Sequence, residues 1–170
     1  MSAIVVFESL YGNTRDVAGA VAEGLRTRFD VDLVEVSQAG RDLSDAEFVV
    51  VGGPTHVHGM MSERSRAGAE HVDEDDASTG PLLREWLSEL APGQGVPAAA
   101  FDTRADKPEW LTGAAGKGIS SRLRKAGFRV TLDRGSFIVE GTEGPLRDGE
   151  LERAREWAAR LTGTFGEATA

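Results

Sequence analysis

"AIVVFESLYGNTRD", Ala3 to Asp16, passes from a continuous apolar run, through a Ser, a Gly, an Asn and a Thr, into a helical pattern. The apolar part, Ala3 to Phe7, reads as a strand buried on both faces, as in a parallel sheet. After Thr14 the apolar positions Val17, Ala18, Val21, Ala22 and Leu25 fall on one face of an α-helix. Hydroxyl and amide groups therefore collect where a strand hands over to a helix. A helix N-terminus offers unpaired N–H groups and the positive end of its dipole. With Ser9, Asn13 and Thr14 beside it, such a turn can wrap a phosphate with neutral donors, and Gly12 lets the backbone approach the anion closely. The plainer alternative is an ordinary helix cap supplied by Asn13 or Thr14, with nothing bound. No G-x-x-x-x-G-K-[ST] or G-x-G-x-x-G pattern is present, which disfavours a P-loop nucleotidase and a dinucleotide fingerprint.

Outward from this turn, strands alternate with helices. Val31–Val36 mixes apolar and acidic residues like an edge strand, Phe48–Val51 is continuous again, and Val96–Phe101 follows with Pro97 near its start. Arg129–Glu140 reads as one strand interrupted by a turn, or two short ones. Apolar stripes at Leu82–Leu90, Ala114–Ala126 and Leu151–Leu161 mark three further helices, with Trp86 and Trp157 on core faces. A helical turn around Leu43–Ala46 links the second and third strands. The alternation implies βαβ units and a parallel sheet covered on both faces. Arg64–Gly80 lacks a period and reads as a long, mobile surface loop, and the chain divides into one domain, 1–162, and a fraying tail, 163–170.

Composition narrows the function. The 170 residues carry 28 acidic and 19 basic side chains, a formal charge of −9, and no Cys. Nucleic acid is disfavoured as a partner, because phosphate contacts need a basic surface. Disulfides, thiolate metal sites and Cys nucleophiles are excluded together. No apolar run is long enough to span a bilayer, so a soluble, cytoplasmic protein without a membrane partner is expected. His56 and His58 form an H-x-H pair, but a metal site needs further ligands, and the third His, His71, lies in the acidic loop. The cluster Glu70, Asp73–Asp76 lacks the ligand alternation of an EF-hand and reads as a solvated face. The basic stretch Lys117–Arg129 reads as an exposed helix face.

Strand, then Ser9-Leu10-Tyr11-Gly12-Asn13-Thr14, then helix, near the start of a chain this long, resembles the flavodoxin family. "VVVGGPTH" resembles that family's third strand entering its first flavin loop, and "AAAFDTRADKPEWLTGAAGKG" its fourth strand entering the second. The resemblance implies an α/β flavodoxin-like three-layer sandwich with a five-stranded parallel sheet in order 2-1-3-4-5 and FMN at the switch point. It implies a phosphate loop at Ser9, Leu10, Tyr11, Gly12, Asn13 and Thr14, and a first ring loop at Pro54, Thr55, His56, Val57, His58 and Gly59. The second ring loop begins at Asp102, Thr103 and Arg104 and reaches Trp110. The family usually sandwiches the ring between aromatics. Here the first loop offers only imidazoles and the second no aromatic before Trp110. Stacking should therefore contribute less, phosphate anchoring more, and affinity should follow pH in the histidine range. Gly59 would allow a peptide to reorient near flavin N5, the net negative charge would lower the potential, and Arg104 would oppose that if it points inward. Three functions follow from the resemblance: a one-electron carrier between a reductase and an acceptor protein, an FMN-dependent NAD(P)H:quinone oxidoreductase, and a binding module that has lost FMN.

Overall fold

The computed structural model describes residues 1–56, 59–67, 82–131 and 133–167, with side chains up to 164. The elements are β1 (Ser2–Phe7), α1 (Asn13–Leu25), β2 (Asp30–Glu35), β3 (Phe48–His56), β4 (Gly59–Met60), α2 (Glu63–Ala67), α3 (Leu83–Ser88), β5 (Pro97–Ala105), α4 (Glu109–Thr112), α5 (Ala115–Lys125), β6 (Arg129–Val130), β7 (Gly135–Val139) and α6 (Glu150–Glu167). The sheet runs β2-β1-β3-β5, and its last position is shared by β6 and β7. Both pair parallel with β5, β6 against its start at Pro97–Ala98 and β7 against its end at Phe101–Ala105. The interrupted strand expected over Arg129–Glu140 is thus one sheet position filled by two pieces, and the order is the 2-1-3-4-5 arrangement. β4, which folds back antiparallel on Thr55 and His56, is an addition the periodicity did not mark.

Burial on both faces explains the continuous apolar runs. Successive side chains of a strand alternate between faces. Val5, Phe7, Phe48, Val50, Ala99 and Phe101 pack under α1 and α6, while Val6, Val49, Val51, Ala98 and Ala100 pack under α3 and α5. Phe101, Phe137 and Trp157 meet edge to face, with ring centroids 6.0–6.3 Å apart. Trp86 is buried and donates its indole N–H to the Gly40 carbonyl at 3.0 Å. Both tryptophans on helical stripes are core residues. The link between β2 and β3 carries a 3₁₀ turn at Val36–Gln38, then a turn closed by the Ala46 N–H on the Leu43 carbonyl.

Three boundaries differ from the sequence reading. β5 continues through Asp102, Thr103 and Arg104 to Ala105. These polar residues hide the strand from a hydrophobicity count, yet their backbones pair with β3 and β7. The expected long loop begins with a short helix at Glu63–Ala67, and residues 68–81, including His71 and the acidic cluster, lie outside the described residues. The last helix runs on to Glu167, past the expected boundary at 162, and Leu161 and Thr162 are its last buried side chains among those described.

Candidate functional site

All strands of the parallel sheet end on one side, and β1 lies between β2 and β3, whose crossovers leave it in opposite directions. Ligands of such folds bind at this switch point, outside the carboxyl ends of the strands. A cleft of about 240 Å³ lies there, lined by the phosphate-loop residues Leu10, Tyr11, Asn13 and Thr14, by Pro54, Thr55 and His56 of β3, and by Thr103, Arg104 and Ala105 of β5. Val139, Gly141 and Thr142 complete the lining.

The loop is held together by its own hydrogen bonds. Gly12 stands at φ +88°, a left-handed conformation that suits glycine, and makes the entry into α1 without a side-chain cap. The capping alternative for Asn13 and Thr14 therefore does not hold, because both already lie inside the helix. Ser9 is buried, and its Oγ accepts the N–H groups of Gly12 at 3.2 Å and Arg15 at 3.3 Å. Ser9 thus shapes the turn, and its own hydroxyl proton remains to be donated. The first N–H groups of α1 have no carbonyl one turn back to receive them. Thr14 and Thr103 share a buried hydroxyl–hydroxyl hydrogen bond of 2.8 Å, which ties the loop to β5. Tyr11 lines the cleft and packs on the small cluster of Leu10, Met61 and Leu82.

Asn13 lines the cleft and has a second task. Its amide donates to the Glu143 carbonyl at 2.9 Å and straps the segment between β7 and α6 onto the phosphate loop. A Cβ on Gly144, which has φ +115°, would lie 2.8 Å from the Asn13 amide, so this approach requires glycine. The strap brings Gly141 and Thr142 into the cleft as a third wall. Sequence reading missed that wall. Its only signal was the glycine-rich "EGTEG" after the last strand, at the same end of the sheet as the other two loops.

On the β3 side, Thr55 accepts the Ala115 N–H at 3.1 Å and so holds the start of α5, while Pro54 and His56 face the cleft. Burial holds the His56 imidazole below its ordinary range, which keeps it neutral at pH 7. Gly59 pairs with His56 in the β3–β4 hairpin and does not line the cleft. Val57 and His58 lie outside the described residues. Any change in ligand affinity that imidazolium causes should consequently fall below the ordinary histidine range. FMN titrations of the wild type and of His56→Gln across about pH 5 to 8 check it, and a difference between the two proteins that sets in above that range would contradict the geometry at His56.

On the β5 side, Arg104 lines the cleft with its guanidinium fixed by Ser136 Oγ at 2.8 Å and the Lys107 carbonyl at 2.7 Å. Asp102 is a correction. It is fully buried away from the cleft, where its carboxylate accepts from the Gly116 N–H at 2.8 Å and Ser136 Oγ at 2.6 Å. Burial pushes its carboxyl above the usual range, against those two hydrogen bonds and the charges of Arg134 and Arg104. It positions β5, α5 and β7. Trp110 is a second correction: it is 83% exposed and outside the cleft lining. Glu109, the residue before it, faces α5 and pairs with Lys117 and Arg134, each at 2.7 Å, which turns the next position of α4 outward. No cluster of three or more His, Asp or Glu side chains able to hold a metal occurs among the described residues. No helix there is long and apolar enough to cross a membrane.

A doubly wound sheet with a hydroxyl-rich, lysine-free phosphate loop at its switch point defines a mononucleotide-binding α/β protein. The flavodoxin family model matches residues 5–157, and the chain belongs to the flavodoxin family. Among solved structures, a flavodoxin from the domain Archaea is similar, with 23% identity, TM-score 0.68, and coverage of 96% of this chain and 98% of that one. Flavodoxin 1 from Bacillus cereus aligns at 16% identity with TM-score 0.67 over 96% and 98% of the two chains. A flavodoxin, WrbA-like protein from Agrobacterium tumefaciens aligns at 21% identity with TM-score 0.61 over 96% of each. No curated protein matches significantly. Proteins of this family bind FMN, and the residues present fit that group: a helix N-terminus beside Ser9 for the phosphate, and Tyr11, Pro54, His56 and Arg104 around the adjoining space.

Proposed function

We propose that this protein binds FMN at the Ser9–Thr14 loop and carries single electrons between redox proteins. The observation that carries the reading is the placement of the cleft, which adjoins the Ser9–Thr14 loop directly and is open to solvent. A cofactor ring seated there keeps one edge available to a protein partner. The bound cofactor supplies the redox chemistry; the protein anchors it, orients it and sets its electrostatics.

Each part of the chain has a defined task in that arrangement. Ser9 and the first turn of α1 hold the phosphate and so fix where the ring lies. Thr14 and Thr103 lock the loop to β5, and a shift of one strand would be felt at the other. Arg104 places a cation at the cleft, where it favours added negative charge, while the protein's overall charge of −9 opposes it. Neutral His56 brings contact area without a second cation.

Ser9→Ala and Thr14→Ala should each weaken FMN binding by about 1–3 kcal/mol, the worth of a hydrogen bond to a charged group. Riboflavin, which lacks the phosphate, should bind weakly and equally to all three proteins. Equal FMN affinity across them would remove the phosphate-loop assignment. To separate carrier from enzyme, the FMN-loaded protein is mixed with NADPH and a quinone. A carrier shows negligible turnover unless a reductase is added; rapid turnover by the protein alone would overturn the carrier reading in favour of an NAD(P)H:quinone oxidoreductase. No flavin binding under any condition would leave a binding module.

A further inference from the structure

The surface formed by α4 and α5 differs in charge from the rest of the molecule. Between Trp110 and Thr131 the chain has five Lys or Arg residues and no acid, although the whole sequence has 28 acids and 19 bases. The stretch is the exposed helix face its sequence suggested, and no acid lies within the helix itself. Arg124 and Lys125 are exposed, and no carboxylate among the described residues pairs with either. Two acids border the patch: Glu109, shared by Lys117 and Arg134, and Asp133, which lines a groove with Lys117 and Arg124. Beside these charges α4 exposes Trp110 at 83% and Leu111 at 46%. An indole left in water next to a second apolar side chain is the composition of a protein-binding anchor, since Trp and Arg dominate interface energetics.

This face adjoins the cleft. A groove of about 370 Å³, lined by Gly59, Met60, Arg84, Glu109, Lys117 and Arg122 among others, runs from α4 and α5 to the β3–β4 hairpin that carries His56. We propose that this α4–α5 face docks an acidic one-electron protein, with Trp110 as the apolar anchor and Arg84, Lys117 and Arg122 meeting its carboxylates, which brings the partner's redox centre to the cleft edge. The proposal rests on the carrier reading above and names the partner for the same site. Charge complementarity chooses the occupant. A partner of strong negative charge is repelled by the remaining, acidic surface and attracted by this patch, so encounter is steered to one orientation.

The probe is an acidic [2Fe–2S] ferredoxin, with a basic cytochrome c as control, each titrated by calorimetry against the FMN-loaded protein at low salt. Trp110→Ala and Arg122→Glu lie outside the cleft lining and should leave FMN binding unchanged. Each should weaken ferredoxin binding tenfold or more and leave cytochrome c binding unaltered, and wild-type affinity for ferredoxin should fall steeply as salt rises. Unchanged ferredoxin affinity in both variants would overturn the proposal, as would an equal loss for cytochrome c. Sedimentation that shows a wild-type dimer and a monomeric Trp110→Ala variant would overturn it in favour of a second copy of this chain. Should the protein fail to take up FMN, the carrier reading falls at that step. The same titrations on the flavin-free protein then still decide whether the face is a docking surface.

Discussion

Between pH 4.5 and about 7 the folded protein is expected to lose up to about 3 kcal/mol of stability through one carboxyl, that of Glu8. Glu8 follows β1 and precedes the phosphate loop, and it is only 3% exposed. Its Oε2 accepts the Leu83 N–H at 2.7 Å and heads α3, while Oε1 has no partner among the described residues. Burial pushes the carboxyl from 4.5 to about 7; the Leu83 N–H opposes this, Glu35 adds to it, and Arg66 and Arg84 lower it. The raised value fixes the sign. In this window the unfolded chain has released the proton and the folded chain still holds it, so stability is full below the unfolded value and falls as pH rises to the folded one. Above about 7 both states are ionised and the loss is complete. Asp102, also raised, works in the same direction; Glu109, lowered chiefly by its Lys117 hydrogen bond, and Glu150, lowered by Arg153 and the Ile138 N–H against its own burial, lose stability as pH falls. Glu8→Gln isolates the Glu8 share, because an amide oxygen still receives the Leu83 N–H and nothing titrates. Denaturant melts of both proteins from pH 4.5 to 8 should show a stability difference that drifts in favour of the variant as pH rises. Parallel curves would mean that Glu8 carries no proton in this range.

Phe101→Ala should cost about 3–5 kcal/mol, the range for deleting a buried aromatic. Phe101 is fully buried on β5, touches Phe137 and Trp157 edge to face, and lies over Gly52 of β3. A Cβ on Gly52 would sit 2.0 Å from the ring, so Gly52→Ala alone forces the ring or strand to move and should cost about 1–3 kcal/mol. Combined, the two substitutions should cost less than their sum, because the added methyl enters space the ring has vacated. Chemical denaturation of the four proteins measures the coupling, and strict additivity would show that Gly52 and Phe101 do not compete for one volume. The pair also bears on the site. The Gly52 carbonyl accepts the Glu8 N–H at 3.1 Å, and β3 runs on from Gly52 to Pro54 and His56 in the cleft.

Much of this molecule is legible in its sequence. The apolar runs at Ala3–Phe7 and Phe48–Val51, the helical stripes between them, and the hydroxyl-rich turn at Ser9–Thr14 express local rules. Side-chain periodicity reports burial on one or two faces, and a strand-to-helix turn with Gly12 reports an anion site at the helix start. Those features depend on residues a few positions apart, so the sequence by itself determined the parallel sheet, its order through the resemblance, and the turn at Gly12 into the first helix. The tertiary structure decided whatever depends on a distant segment. Asp102 looked like a loop residue facing the cofactor. It is buried because the Gly116 N–H and Ser136, 14 and 34 positions away, satisfy its carboxylate. The Asn13 amide also holds Glu143, 130 positions on, and with it a wall of the cleft that no local pattern announced. Glu8 is an ordinary acid in the sequence, and only α3 closing over it removes its water. Trp110 shows the converse: an aromatic at the expected position along the chain is turned to solvent because Glu109 is held by Lys117 and Arg134. In each case a polar group's fate follows from which remote partner reaches it, since burying it unpaired is costly and pairing it removes that cost.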